Sequence, residues 1–352
     1  MTAQRREGWP DVAKGVCIIL VVLWHVVTKH VAHLDWPATA GMPAVWTLLS
    51  ALSPLRMPLF FLVSGLFAAR AVCSPHAATA VRRTTGLISL YVLWLTIQTF
   101  ALAAAPDFDT ARATGLGEYL AQLTVSPTNL WYLLALAVYL VVARLTRTLS
   151  TPLVLGSAFF LACIASAGLL PDWGNLWQLV QNLFFFLLGL RLRGRVANVA
   201  ASATLPSMLG FGAGFAAAVV LVSMLDAREW FGVWPLLSIV AVLFGVTACA
   251  LLDSRVPWLA TPLRLLGQQT LPVYVIHMIP LALVHQALRG TAASAALATP
   301  VLSIIGPLLL TTVVVIGCLG AHRVLNRLGL GVLFDPLVVA RRFRRSAGKD
   351  KS

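Results

Sequence analysis

The sequence predicts an all-α, polytopic integral membrane protein with about ten membrane-spanning helices. Of its 352 residues, 59% are hydrophobic and only 11% are charged, whereas soluble domains average about 25% charged residues. The apolar residues form runs that reach the length of about 20 residues needed for a helix to cross the hydrocarbon core. This composition excludes an ordinary soluble enzyme, a disordered chain and a fibrous protein.

Ten apolar runs, separated by short polar segments, define the predicted spans. They cover residues 12–32, 44–69, 86–105, 130–145, 152–170, 176–192, 205–225, 231–252, 269–288 and 299–322. The second run contains Pro54, Arg56 and Pro58, so we expect a kink or a break there. Gly210 and Gly214 form a G-x-x-x-G pattern in the seventh run, which is typical of a helix-packing face.

The distribution of basic residues predicts the orientation. Most of the 26 Lys and Arg residues lie in alternate segments between the spans, and such segments face the cytoplasm. Both termini are therefore predicted to be cytoplasmic, with a transmembrane domain at residues 1–340 and a basic tail at 341–352. We interpret the net charge of +14 as membrane topology and contact with the lipid bilayer, and predict no nucleic-acid partner.

The sequence carries no recognisable metal or nucleotide motif. The five cysteines are scattered without C-x-x-C spacing. The P-loop, H-E-x-x-H and G-x-S-x-G patterns do not occur. No metal site is predicted.

Ionisable residues inside apolar spans are costly and point to a functional site. Lys14 and His25 are 11 residues apart in the first span, within about 20° of three full turns, so they share one helix face about 16.5 Å apart along the axis. Lys14 then lies near the cytoplasmic surface and His25 near mid-membrane. The alternative for His25 is a packing residue bonded to a neighbouring carbonyl group.

Two further spans carry polar candidates. Arg56 in the second span needs water, an anion or a helix end as its partner, and the Ser64–Gly65 pair lets either a ligand or another helix approach. In the ninth span, Tyr274 and His277 are three residues apart and share a face. They either contribute to a site or bond to each other and to the backbone.

The ends of the third and fourth spans have two interpretations each. The fourth span begins at the outer side with Asn129, Trp131 and Tyr132. These residues form either a sugar-stacking surface or part of an aromatic belt. The third span begins at the cytoplasmic side with Arg82 and Arg83. This pair either binds a phosphorylated ligand or anchors the helix at the cytoplasmic surface by the positive-inside rule.

Five stretches spread over most of the chain carry a family resemblance. They are WPDVAKGVCIILVVLWH at 9–25, RMPLFFLVSGLF at 56–67, NLWYLLAL at 129–136, FFFLLGL at 184–190 and LGQQTLPVYVIH at 266–277. The sequence resembles membrane-bound acyltransferase family 3, which includes bacterial sugar O-acetyltransferases, and is most similar to its fucose 4-O-acetylase-like members. Lys14 and His25 fit the family's basic residue, ten intervening residues and histidine. Family members often carry two arginines three apart where this chain has the adjacent Arg82 and Arg83.

The resemblance implies an O-acyltransferase of the cell (inner) membrane. Its co-substrate would be acyl-CoA, with acetyl as the expected acyl group, and its acceptor a hydroxyl of a sugar or glycan. The residues divide into three expected roles: Lys14, Arg82 and Arg83 bind the CoA phosphates; His25, with Lys14, Arg56, Tyr274 and His277, makes up the catalytic set; and Ser64, Asn129, Trp131 and Tyr132 bind substrate.

The role of His25 and the protein class each keep alternatives. His25 acts either as the general base on the acceptor hydroxyl or as a relay that carries the acyl group covalently. Arg56, Tyr274 or His277 would stabilise the oxyanion or orient the acceptor. The rival classes are a secondary transporter or flippase for a glycan-related or anionic substrate, and a non-catalytic scaffold or sensor.

Overall fold

The structure, a computed structural model, describes residues 8–34, 36, 42–74, 76–171, 174–291 and 299–335. This part of the chain contains 15 α-helices and no β-strand, which confirms the predicted all-α class. The predicted basic tail at 341–352 lies outside the described residues. The helices are α1 (Trp9–Lys29), α2 (Ala44–Thr47), α3 (Ser53–Val72), α4 (Ala77–Ala101), α5 (Leu116–Thr124), α6 (Trp131–Leu145), α7 (Thr151–Ser166), α8 (Leu176–Arg191), α9 (Arg193–Ala201), α10 (Leu205–Met224), α11 (Val233–Arg255), α12 (Pro257–Gln268), α13 (Thr270–Ile276), α14 (Met278–Leu288) and α15 (Pro300–Arg327).

Six of the described helical segments are long and apolar enough to cross a membrane, namely those built on α1, α3, α4, α10, α11 and α15. The bent pair α13 and α14 would make a seventh. Every predicted span falls on a helix or on this pair, but α6 and α7 are shorter apolar helices and α8 has only 16 residues. The total of ten crossings and the orientation therefore remain predictions.

The expected interruption of the second span lies before α3. The short helix α2 and a 3₁₀ helix at Leu48–Leu52 come first. Pro54 then falls in the first turn of α3, where its missing N–H leaves no hydrogen bond unmade. The helix continues past Pro58, so Arg56 and Ser64 lie on one helix.

Glycines bring two pairs of helices into backbone contact. A Cβ at Gly15 of α1 would lie 2.1 Å from the Leu263 carbonyl oxygen of α12, and one at Gly267 would lie 1.8 Å from a carbonyl oxygen of α1. Helices α3 and α8 meet in the same way at Gly65 and Gly189, where a Cβ would lie 2.1 and 2.0 Å from carbonyl oxygens of the opposite helix. These contacts set a short separation between the helices that carry the candidate site residues, α1 and α3, and their neighbours α12 and α8.

The ninth predicted span breaks at His277. Helix α13 ends at Ile276 and α14 begins at Met278, and the two are bent by 43°. Pro280 has no N–H, so the Ile276 carbonyl lacks the donor that would continue the helix. The break places the His277 ring inside the protein, where it is fully buried.

Candidate functional site

Two cavities lie along the face of α1 that carries Lys14 and His25. The Lys14 cavity has a volume of 450 Å³ and is lined by Lys14, Ser64, Arg83 and Tyr132 among others. The His25 cavity has a volume of 250 Å³; its lining residues include Trp24, His25, Arg56, Asn129, Trp131 and Gln178. Tyr274 lines both cavities and so lies between them.

Two cations that line the Lys14 cavity both contact Phe67, one at its ring and the other at its carbonyl oxygen. Lys14 Nζ lies 2.9 Å from Asp11 Oδ1 and 4.6 Å from the centre of the Phe67 ring. Arg83 Nη1 donates to the Phe67 carbonyl oxygen at 3.2 Å. Asp11 is buried and also accepts from Gln268 Nε2 at 3.4 Å. The two cations and the carboxylate paired with Lys14 sum to a net positive charge, which suits an anionic ligand.

Arg82 stands apart from this cavity. Both arginines are exposed, but Arg82 does not line any of the cavities described for residues 8–335. Successive helix positions differ by about 100° in direction, so the adjacent arginines point to different surroundings. Of this pair, Arg83 is the one that lines the Lys14 cavity.

Ser64 and Tyr132 are joined in the wall of the Lys14 cavity. Ser64 Oγ donates to the Phe60 carbonyl oxygen at 2.8 Å, so the 2.7 Å contact with Tyr132 is donated by the tyrosine hydroxyl. The Tyr132 ring stacks on Phe60 at 4.6 Å and 14°. Asn129 and Trp131 instead line the His25 cavity. The structure therefore separates Tyr132 from the two residues with which the sequence grouped it on one surface.

Tyr274 joins α13 to the start of α6. Its hydroxyl donates to the Asn129 carbonyl oxygen at 2.5 Å and accepts from the Tyr132 backbone N–H at 3.1 Å. Both hydrogen-bonding functions of the hydroxyl are therefore engaged with backbone groups. The ring is thereby held in place where the two cavities meet.

His25 and His277 lie side by side, with ring centroids 5.1 Å apart. His277 Nδ1 lies 2.7 Å from the Tyr274 carbonyl oxygen and 3.2 Å from that of Val273. Carbonyl oxygens only accept, so Nδ1 carries the proton of the neutral ring and Nε2 carries a lone pair. His277 Nε2 and His25 Nδ1 are both buried and have no hydrogen-bond partner among the residues described.

Arg56 projects into the His25 cavity as a buried cation. The residue is 8% exposed, and its guanidinium lies 4.7 Å from the centre of the Trp24 ring. Its Nη1 atom has no hydrogen-bond partner, and no ion pair joins it to a carboxylate in the described ranges. A buried cation in this condition is suited to a ligand anion or to negative charge that develops in a reaction.

A third cavity adjoins the His25 cavity and was missed by sequence reasoning. This amide cavity has a volume of 660 Å³ and shares Trp24, Arg56, Met57 and Gln178 with the His25 cavity. Gln181 and Asn182 complete a row of amides on α8, with Trp177 and Trp234 on the same lining. The signal in the sequence was the run QLVQN, three amides at i, i+3 and i+4 in an otherwise apolar segment.

No group of three or more His, Cys, Asp or Glu side chains that could hold a metal ion occurs within the part of the chain that the structure covers.

Comparison with known proteins identifies the family. A family model described as an acyltransferase domain, the acyltransferase 3 type, matches residues 7–323. The chain belongs to acyltransferase family 3. The family membership that the five sequence stretches indicated is confirmed, and the protein is a membrane acyltransferase.

One curated relative of this acyltransferase is the inner membrane protein YcfT of Escherichia coli (strain K12). The two are 26% identical over 294 residues, which cover 78% of this chain and 80% of YcfT. No solved structure gives a significant match.

Proposed function

We propose that this protein transfers an acyl group, expected to be acetyl, from cytoplasmic acyl-CoA to a hydroxyl group of a sugar or glycan. The observation that carries the proposal is that a cation-bearing cavity and a histidine-bearing cavity meet at Tyr274. With the predicted orientation, the Lys14 cavity opens towards the cytoplasm, where acyl-CoA is made. The protein resides in the inner membrane, as the name of YcfT states for that relative.

The Lys14 cavity supplies what the donor requires. The ammonium of Lys14 and the guanidinium of Arg83 bind CoA phosphates, because both are strong donors of charge-assisted hydrogen bonds. Beyond them the lining is largely aromatic and aliphatic and includes Phe60, Phe67 and Leu136, which suits a long, thin pantetheine arm. The arm extends along α1 and carries the thioester past Tyr274 towards His25.

The transfer step uses the lone pair of a neutral His25. The acceptor hydroxyl gives its proton to His25 while its oxygen attacks the thioester carbon. A C–O bond forms and the C–S bond breaks, and the proton passes from His25 to the departing thiolate, giving an ester and free CoA. Arg56 stabilises the negative charge on the thioester oxygen. The acyl-relay alternative places a covalent acetyl-His25 before the attack by the hydroxyl.

His25→Ala in the purified protein tests the chemistry. We expect CoA release from acetyl-CoA, followed with a thiol reagent, to fall by about 100-fold or more, as for loss of a general base. The matched control is His76→Ala, since His76 is exposed and outside all three cavities. Unchanged turnover in His25→Ala would remove His25 from the chemistry.

Intact-mass measurement of surface glycans tests the acceptor. Glycans from cells that carry the gene should be heavier by whole acetyl groups than glycans from cells that lack it, and cells with only the His25→Ala form should match the latter. Movement of glycan across proteoliposomes without CoA release would instead support a transporter and contradict the proposal.

A further inference from the structure

We propose that the amide cavity holds a glycosyl unit of the acceptor and presents one of its hydroxyl groups to His25. This inference rests on the proposed function and adds a binding site to it, formed by residues of α8 that no sequence motif singled out.

The position of the cavity fits an acceptor site. It is continuous with the His25 cavity, since Trp24, Arg56 and Gln178 line both. It lies at the His25 end of α1, away from Lys14, and is bordered by Arg228 and Glu229 in the loop between α10 and α11. A ligand can therefore reach His25 from this side while the donor occupies the Lys14 cavity.

The amides of α8 give the cavity its polar character. Gln181 and Asn182 are 3% and 1% exposed, yet both line the cavity. Asn182 Nδ2 donates to the Gln178 carbonyl oxygen at 2.8 Å. The other polar atom of the same amide, Asn182 Oδ1, has no partner among the described residues. Leaving a buried amide oxygen unpaired is costly. A ligand hydroxyl, which can donate as well as accept, would satisfy it.

Aromatic rings share this lining with the amides. Trp24, Trp177 and Trp234 line the cavity together with the row on α8. A pyranose ring has an apolar C–H face that packs on indole and a rim of hydroxyl groups that bond to amides, so it matches both halves of the lining. A hydrocarbon chain would leave the amides unpaired. The volume of 660 Å³ lies within the range of about 300–1,000 Å³ that is usual for small-molecule sites.

The test measures acceptor and donor kinetics separately in the purified full-length protein. The acceptor is the oligosaccharide fraction from the surface glycan of cells that lack the gene, which carries no acyl group from this enzyme. The variants are Asn182→Ala and Ser166→Trp. Ser166 lines the same cavity, and a tryptophan there would fill part of the cavity while the three amide residues of α8 stay unsubstituted. Gln122→Ala is the matched control, because Gln122 is a buried amide with an unpartnered Oε1 that lies outside the cavity.

We expect the KM for the oligosaccharide to rise about tenfold in Asn182→Ala, as for loss of a hydrogen bond that leaves its partner unpaired. The KM should also rise in Ser166→Trp, while the KM for acetyl-CoA stays unchanged in both variants. Gln122→Ala should match the wild type. Wild-type acceptor KM in both cavity variants, together with normal transfer, would overturn the acceptor site and leave the proposed function standing. A wild-type protein that acylates none of the oligosaccharides would overturn both.

Discussion

Gly15 is where α1 and α12 touch backbone to backbone, and the change Gly15→Ala tests whether that contact holds the candidate site together. A Cβ at this position would lie 2.1 Å from the Leu263 carbonyl oxygen, whereas ordinary contact begins at 3.4 Å. The obstructing atom belongs to the main chain of a helix and cannot rotate away. The two helices must therefore separate or tilt over the segment that carries Lys14.

The expected cost is the balance of two effects. Overpacking a well-filled interface costs about 1–3 kcal/mol, and a rigid carbonyl obstacle favours the upper part of that range. Replacing glycine by alanine within a helix returns about 1 kcal/mol. Gly15→Ala should therefore lower the free energy of unfolding by about 1–2 kcal/mol.

Gly317→Ala is the matched control. Gly317 also lies inside a helix, α15, but no described atom lies within 4 Å of a Cβ built there. Only the helix-propensity gain of up to about 1 kcal/mol remains, so this variant should be as stable as the wild type or slightly more stable. Thermal unfolding of the three proteins in one detergent, at equal concentration, measures the difference.

Gly15→Ala should lower the Tm, whereas Gly317→Ala should leave it unchanged or raise it slightly. If Gly15→Ala unfolds at or above the wild-type temperature, the backbone contact between α1 and α12 is not as close as the structure places it. A loss of stability in Gly317→Ala as large as that in Gly15→Ala would show that alanine is poorly tolerated for some reason other than the contact.

Two further predictions concern charged side chains. Lys14→Met should raise the KM for acetyl-CoA by about tenfold with a smaller change in kcat, because a phosphate contact is lost. The double variant Lys14→Met, Asp11→Asn should keep the raised KM. Recovery of the wild-type KM in the double variant would contradict phosphate binding by Lys14. Lys29 hydrogen-bonds Asp109 at 2.7 Å and thereby lowers the pKa of that carboxyl below its ordinary value of 3.8. The pair therefore contributes stability that is fully present above that ordinary value and is lost as the pH falls through the lowered one. Because the pair is exposed, Asp109→Asn should cost at most about 1 kcal/mol near neutral pH and nothing in strong acid, and an equal loss at both pH values would refute the ion pair.

Periodicity along one helix was sufficient to predict part of the site. Lys14 and His25 are 11 residues apart on α1, and helix geometry alone places them on one face whatever surrounds them. The resemblance to family 3 rested on five stretches, the first of which covers this helix, and is confirmed by the family match over residues 7–323. Both inferences needed only short segments of sequence and no knowledge of how the helices pack.

Contacts between helices could not be predicted in this way. Tyr132 was grouped with Asn129 and Trp131 because they are adjacent in the sequence, but the Ser64 contact that turns Tyr132 to the Lys14 cavity joins residues 68 apart. The G-x-x-x-G pattern indicated a packing face, yet no described atom lies within 4 Å of a Cβ at Gly210, and the nearest to Gly214 is 3.8 Å away. The close approaches occur at glycines with no such spacing.

The hydrogen bonds of His277 fix which nitrogen of its neutral ring carries the proton. A neutral His277 spends its one N–H on the carbonyl oxygens of its own broken helix, and turning the ring over would forfeit those bonds. The remaining ring nitrogen, Nε2, then carries a lone pair and has no partner among the described residues. In this tautomer His277 can accept a proton at Nε2 but has no proton there to donate, a state set by the break in its own helix.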